Sequence, residues 1–464
     1  MMRSLFSGVS GLKNHQTRMD VVGNNISNVN TTGFKSSRAT FTDMLSQTLN
    51  GASAPTGTIG GTNPKQIGLG SSVSSIDLLF TNGSVQSTGK NTDLALSGSG
   101  LFVVSDENQK YYTRNGAFEF DADGNYVQPG NGLHVMGWMA KDGNLTTNGE
   151  VVPIKIPAGK PMAAKASAQA TYTNNLNSEV PTITSLTPSA GVPPTATATP
   201  ANPVTVKMSD GTIYTMTNGK YTVGHSLPLT TTLTVYDALG SKHDITLYFT
   251  KTKTDSTNGN EWTVSVDTNG TGSATITEKD GSTTTVAMAD ETLKFTTDGK
   301  FDSGAGTVKL TLTNGALSPQ TVAVGLSSLT QYAGSNTISG KADGYAAGTL
   351  ESVSIDKTGI LTGTYTNGVK QIEGQVAVAQ FNNASGLTKN GDSLYQESNN
   401  SGVANIKTAA DLGCTITPSA LEMSNVDIAN EFTDMIVTQR GFQSNSKTIT
   451  VSDEMLETLI NMKR

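Results

Sequence analysis

Only one cysteine, Cys414, occurs in the 464-residue chain, so no disulfide can form within it. A chain this long can bury enough core without such staples. Cys414 lies in the apolar phrase Leu412-Gly413-Cys414-Thr415-Ile416, which reads as a buried structural thiol. Long hydrophobic runs are also missing. None approaches the roughly 20 residues of a membrane-crossing helix, so no membrane insertion is predicted. The first twenty residues lack a continuous apolar stretch and a small-residue cleavage site, so any export is expected to proceed without a cleavable signal, through a dedicated channel. Charged residues make up only 15% and the net charge is −7. Without surplus Lys and Arg to neutralise phosphates, general nucleic-acid binding is excluded. At 35% hydrophobic residues the chain is too apolar for a disordered one. Its 49 glycines do not fall at every third position, as a collagen would need.

Catalytic and metal-binding patterns are absent as well. The four histidines, His15, His134, His225 and His243, lie far apart and no Cys-x-x-Cys exists, so no zinc site is predicted. His243 follows the turn Asp237-Ala238-Leu239-Gly240 and reads as a surface histidine on a hairpin. Gly98-Ser99-Gly100 has Val103 where a third glycine would stand, and a strand rather than a helix follows it, so no phosphate cradle forms. There is no Gly-x-Ser-x-Gly. Asp121 and Asp123 flank a turn glycine, where carboxylates commonly accept local backbone hydrogen bonds. No catalytic residue, cofactor site or metal site is assigned.

What the chain does have is a division by proline. All fifteen prolines lie between Pro55 and Pro418, and the two proline-free ends are free to be helical. Near the start, Leu5, Val9, Leu12, Met19, Val22, Ile26 and Val29 recur at steps of three and four, with Gln16 in the remaining position. Near the end, Ala429, Phe432, Ile436, Gln439, Ile449, Leu456 and Leu459 form a less regular stripe. Ser424 and Asp427 precede it at capping-box spacing. The two helices can pair as a coiled coil or pack against other copies. Gln16 and Gln439 weaken each seam, and Gly8, Gly11, Gly23 and Gly441 each cost an isolated helix up to about 1 kcal/mol relative to alanine. Both features favour packing between copies.

The middle is crowded with turn signals. Asn-Gly or Asp-Gly occurs at 82–83, 115–116, 123–124, 142–143, 210–211, 218–219, 298–299, 314–315 and 367–368, pairs that suit tight hairpin turns. Short β-type runs flank them at 101–104, 111–113, 232–236, 245–250, 263–266, 308–313 and 375–381. An antiparallel all-β body, too long for one sandwich, is predicted between helical ends. Residues 181–229 read as an insertion or extended loop, rich in Pro, Thr and Ala up to Pro203.

The most distinctive stretch runs from Asp20 through Asn24-Asn25-Ile26-Ser27-Asn28-Val29-Asn30-Thr31-Thr32-Gly33-Phe34-Lys35. Its apolar positions continue the helix face, its asparagines weaken the helix, and Gly33 can close it in the left-handed conformation. This stretch resembles the N-terminal signature of the flagellar axial proteins, the rod, hook and hook–filament junction subunits. Leu421-Glu422-Met423-Ser424-Asn425-Val426-Asp427 and Met435–Asn445 are similar to the closing motif of that family. Segments 91–96, 112–118, 234–240 and 374–381 are similar, in that order, to those of its hook members; the likeness fails around 181–229.

The resemblance implies a structural subunit, not an enzyme, that polymerises into a hollow, curved tube carrying torque between rod and filament. It implies nested layers: an inner helical polymerisation domain from 1–30 and 425–464, a connecting region from 31–72 and 395–424, a middle β-domain from 73–168 and 327–394, and an outer β-domain from 169–326. It implies many copies of the chain as partners, with the distal rod protein, hook cap and hook–filament junction proteins at the ends, and export to the cell exterior by the type III apparatus. Leu5, Leu12, Val22, Ile26, Ile436, Ile449 and Leu459 are the candidate subunit-packing positions, and Asn24, Asn25, Asn28, Gly33 and Phe34 the candidate helix-exit signature. A distal rod or junction subunit is the alternative within the family. A secreted β-rich adhesin or sugar-binding protein is the alternative outside it, and it leaves the two terminal signatures unexplained.

Overall fold

The computed structural model describes residues 2–462 except 56, 58–59, 107–108, 189–196, 199–202, 218 and 279–280. Much of the Pro-rich stretch 181–203 and the first residue of the 218–219 turn therefore lie outside the described residues. The chain divides into two compact units, one of residues 1–160, 351–364 and 370–464, the other of 161–350 and 365–369.

In the first unit, α1 (Met2–Ser27) and α2 (Ile428–Asn461) run antiparallel against each other. The cap of α2 is Asp427 itself, whose carboxylate accepts from the N–H groups of Ala429 and Asn430. Ser424 lies outside the helix, so the capping-box reading is corrected by three residues: the donors nearest the first turn are reached from Asp427. Beyond α1, Ser37–Asp43 pairs with Ser71–Leu78, and Ser46–Asn50 pairs with Lys65–Gly68, all antiparallel. Both strands of the second pair are exposed throughout.

The β body of this unit is an antiparallel sheet. It places Lys370–Val376 beside His134–Met139, then Leu101–Ser105, Lys110–Thr113 and Leu394–Gln396. Leu101, Val103, Tyr112, Trp138, Ala377, Phe381 and Tyr395 form its core. Two short ladders join the halves of the chain: Leu94–Ser97 with Thr415–Pro418, and Val85–Ser87 with Ala420–Glu422.

The second unit is a sandwich. One sheet holds Leu229–Tyr236, Lys242–Lys253, Glu261–Ser265, Glu291–Phe295 and Phe301–Ser303; the other holds Thr283–Ala287, Gly306–Leu312, Gln320–Tyr332 and Gln169–Asn177, with shorter strands at its edges. Burial alternates residue by residue along Lys242–Lys253 and Gly306–Leu312, the period-two signature of strands with one face covered. The covered faces share one core, with Tyr172, Leu247, Phe249, Trp262, Val308 and Leu310 among its members. The expected antiparallel order has an exception: Gln169–Asn177 runs parallel to Gln320–Tyr332. Within 181–229, Ile183–Pro188, Val204–Met208 and Ile213–Met216 form a three-stranded sheet, and Ile183, Leu186, Val206 and Tyr221 belong to a small core of its own.

Turn chemistry follows the sequence at Asp142-Gly143, where both residues have positive φ, 51° and 80°, as a type I′ hairpin requires. Asn82-Gly83 and Asn115-Gly116 depart from the hairpin reading, since none of the four residues has positive φ. Their glycines serve close approach instead. A Cβ on Gly116 would overlap the Leu94 carbonyl, and one on Gly83 the Met423 carbonyl.

Separate cores make the two units separable in stability. Phe249→Ala, which empties a wholly buried position in the sandwich, is expected to cost the second unit about 3–5 kcal/mol. Hydrogen exchange of the strands around Tyr112 in the first unit should remain unchanged; loss of protection there would show that the units unfold as one.

Candidate functional site

The seam between the two helices is built from small and polar residues. A Cβ added to Gly8 would stand 3.2 Å from Ile449 Cγ1, one on Gly11 2.9 Å from Asn445 Nδ2, and one on Gly441 2.5 Å from the His15 ring. These glycines let the helix backbones approach closely, a role their low helix propensity hides in the sequence; Gly23, by contrast, has nothing within 4 Å. Farther along, Arg18 pairs with Asp434 at 3.0 Å and Asn25 Nδ2 donates to Glu431 Oε1 at 2.9 Å. Burial pushes the Glu431 carboxyl above its ordinary pKa, with the Asn25 bond acting against it.

The candidate packing residues fall on both sides of this seam. Val22 is buried within its own chain, so it is corrected from a position free for neighbours to one already filled. Leu5, Leu12, Ile26 and Ile449 are half-buried, and Ile449 meets Gly8 across the seam. Ile436 and Leu459 stand 58% and 53% exposed, with Phe432, Val437, Met455 and Ile460 also exposed on α2. Gln16 and Gln439, read as seam positions, are exposed. Small and polar residues thus make up much of the seam, and apolar residues at several positions around α2 remain exposed.

The helix-exit residues do specific work. Asn25 is 1% exposed; its amide donates to the Ser37 carbonyl at 2.8 Å and accepts from the Ser37 N–H at 3.0 Å. It therefore acts as a surrogate strand partner, turning the chain from α1 into the first hairpin. Asn28 Nδ2 donates to the Asn24 carbonyl and to Asn24 Oδ1 at 2.9 and 3.1 Å. Gly33 sits at φ 67° and a Cβ there would overlap the backbone of Arg114 and Asn115. Phe34 is buried, with Lys389 Nζ 4.4 Å from its ring centroid.

Immediately after Phe34 comes a buried ionic cluster. Glu422 Oε1 accepts from Lys35 Nζ at 2.7 Å and from the Gly83 N–H at 2.8 Å, and its Oε2 accepts from Arg114 Nη1 at 3.1 Å. All three charged side chains are at most 1% exposed. The two cations outnumber the anion, and main-chain carbonyls take up the difference: Thr81 accepts from Lys35, and Leu96 and Gly98 from Arg114. Burial draws the Lys35 ammonium below its ordinary pKa, while Glu422 works in the opposite direction. The Gly33 N–H also donates to the Glu422 carbonyl at 2.8 Å. Sequence reading included Lys35, Arg114 and Glu422 within its three distinctive segments without connecting them. Only Glu422 stands between two apolar residues; Arg114 lies between Thr113 and Asn115, so no local signal connects the three.

His243 is not on the surface. It is 1% exposed, 2.8 Å from Glu278 Oε1 and 3.2 Å from Asp237 Oδ2. It points inward because its strand alternates, and the carboxylates supply the partners a buried imidazole needs. Asp121 accepts from the N–H groups of Asp123 and Asn125, the local turn bonds predicted for it. Among the described residues no group of His, Cys, Asp and Glu is arranged to hold a metal ion, and Cys414 is buried.

Four family models match the chain: Flagella basal body rod protein over residues 5–35, Flagellar hook protein FlgE/F/G D1 domain over 95–174, Flagellar basal body protein FlaE D2 domain over 225–345, and Flagellar basal body rod FlgEFG protein C-terminal over 417–462. The flagellar hook proteins FlgE of Treponema pallidum and Borreliella burgdorferi are each 39% identical to it, with all of both chains covered. That of Salmonella typhimurium is 35% identical, covering 99% of this chain and 100% of the relative. The chain belongs to the flagellar hook protein family. It is a structural subunit of the hook, and the buried cluster and helix pair are parts of a structural element.

Removing the carboxylate from that cluster leaves two buried cations facing each other. Glu422→Gln is expected to lower the unfolding free energy by about 3–5 kcal/mol, read from urea denaturation. Breaking the exposed Lys90–Glu119 pair with Lys90→Ala should change it by less than about 1 kcal/mol. Equal effects would deny the cluster its role.

Proposed function

We propose that the exposed apolar residues of α2, Ile436 and Leu459 among them, pack against further copies of this chain to build the wall of a hollow tube. The observation that carries this reading is the set of large apolar side chains that stay exposed along α2 once α1 is seated against it, from Phe432 to Ile460. Burying one such half-exposed side chain contributes on the order of 1 kcal/mol, so several per copy, repeated through a polymer, supply a strong axial contact. Leu5, Leu12 and Ile26, half-buried on α1, join the same contact. Ile449 locks the pair from within, and Val22 supports it as intrachain core.

In this reading the chain is layered from the inside outward. Residues 1–30 and 425–464 form the polymerisation layer, 31–72 and 395–424 the connection, 73–168 and 327–394 the middle β layer, and 169–326 the outer one. The Thr-rich strands of the outer layer present polar surfaces that can exchange partners as the tube bends. Apolar inner contacts and polar outer ones together suit a joint that transmits torque while curved. The distal rod protein, hook cap and hook–filament junction proteins adjoin the ends of the tube. The chain reaches the cell exterior through the type III export apparatus without a cleavable signal.

Leu459→Asp or Ile436→Asp is expected to abolish tube formation by purified chain in electron micrographs, with the β strands retained by circular dichroism. Tubes of normal length from either variant would sink the assignment of these residues.

A further inference from the structure

A buried titratable cluster in the second unit lies apart from the helix pair and the Glu422 junction. His243 stands on the strand Lys242–Lys253 of one sheet of the sandwich and is 1% exposed. Its ring meets the hairpin of Ser273–Thr277 and Thr283–Ala287, which forms one edge of the other sheet. Nε2 lies 3.2 Å from Asp237 Oδ2, and Nδ1 lies 2.8 Å from Glu278 Oε1 in the turn of that hairpin. The same Nδ1 lies 3.2 Å from Thr284 Oγ1. The ring therefore ties one sheet to the other, and one of its nitrogens has two partners.

Those two partners ask for opposite protonation. An ionised carboxylate only accepts, so Glu278 is bonded while Nδ1 carries a proton. A hydroxyl donates or accepts, so Thr284 can also bond the bare nitrogen. Asp237 fixes the other side of the ring. Its Oδ1 accepts from the N–H groups of Leu239 and Ser241 at 2.9 and 2.8 Å, and its Oδ2 accepts from Asn314 Nδ2 at 2.6 Å. Burial works against the Asp237 charge, but the bonds from Asn314, Ser241, His243 and Leu239 together hold its carboxyl below the ordinary pKa. Asp237 thus stays an anion and keeps the proton on Nε2, so the proton that leaves a charged ring is the one on Nδ1. On the strand of His243 itself, Lys242 and Asp244 are exposed and pair with each other at 2.9 Å. Asn314 is neutral. Among the described residues, Asp237 and Glu278 are the charged groups bonded to the ring.

We propose that His243 is a proton-operated latch on the edge hairpin. While the ring is an imidazolium, it donates from both nitrogens and holds Glu278 against the facing sheet. When Nδ1 gives its proton to solvent, the Thr284 hydroxyl donates to that nitrogen and Glu278 is released. Glu278 is the open side of the cluster, its side chain 19% exposed against 2% for the ring. The latch is closed at low pH and opens as the pH rises. It belongs to the second unit and does not rest on the polymerisation reading.

Hydrogen exchange of the full chain, corrected for the intrinsic effect of pH on amide exchange, tests the latch. Protection of residues 273–278 is expected to fall about tenfold between about pH 5 and about pH 9, a span that brackets the charge change of a histidine. Glu278→Gln carries an amide that donates to a bare Nδ1 or accepts from a protonated one, so its protection should stay high at both ends. His243→Gln should lose the step with pH. Nitrogen-15 spectra of the ring, assigned by the signal that His243→Gln removes, should show both nitrogens protonated at the low end and Nδ1 bare at the high end. Wild-type protection at 273–278 that ignores pH, a ring neutral throughout, or an equal step in Glu278→Gln overturns the proposal.

Discussion

The junction between the helices and the β body centres on one carboxylate. Glu422 draws Lys35 from the end of the N-terminal signature, Gly83 from the return of the first hairpin and Arg114 from the β body into a single buried cluster. A buried charge in the low-dielectric interior is costly unless its partners are complete. The cluster therefore tolerates only the arrangement in which all these segments are seated together. Gly33 reinforces the same junction, since its N–H is bonded to the Glu422 carbonyl and its missing side chain leaves room for the Arg114–Asn115 backbone. The ionic geometry fixes where the helix pair begins more firmly than apolar packing alone would, because apolar contacts tolerate sliding and a saturated carboxylate does not.

The helix pair shows a second constraint, the close approach of its two backbones. Glycines at 8, 11 and 441 bring α1 and α2 close enough that polar side chains such as Asn445 and His15 fill the seam. Ile449 enters the seam opposite Gly8, while Phe432, Ile436, Val437, Met455, Leu459 and Ile460 of α2 remain exposed.

The sequence was legible wherever one physical rule acted alone. Proline-free ends became helices, alternating strands became a sandwich, and the acidic turn at Asp121 closed on its own backbone. Where two rules competed, the reading slipped. Gly8, Gly11 and Gly441 carry a local penalty in helix propensity and a tertiary benefit in close approach, and only the first is visible in one dimension. Gly83 and Gly116 look like hairpin glycines but answer to distant carbonyls. His243 follows a polar turn, yet the strand's alternation turns it inward onto Asp237 and Glu278. The partnership of Lys35, Arg114 and Glu422 spans nearly the whole chain, and no local pattern marks residues that meet only after folding. The apolar stripe on α1 was found, but its facing surface was misjudged at Val22, which the chain buries by itself.

The main stretch of the second unit, 161–350, begins and ends on neighbouring strands. Pro161 and Met162 pair antiparallel with Thr349 and Gly348, so the chain enters and leaves this sandwich through one hydrogen-bonded gate. A module joined in this way closes its own loop at little entropic cost, and its length hardly matters to whatever lies on the other side of the gate. The three-stranded sheet within 181–229, with its own small core, is carried inside that loop.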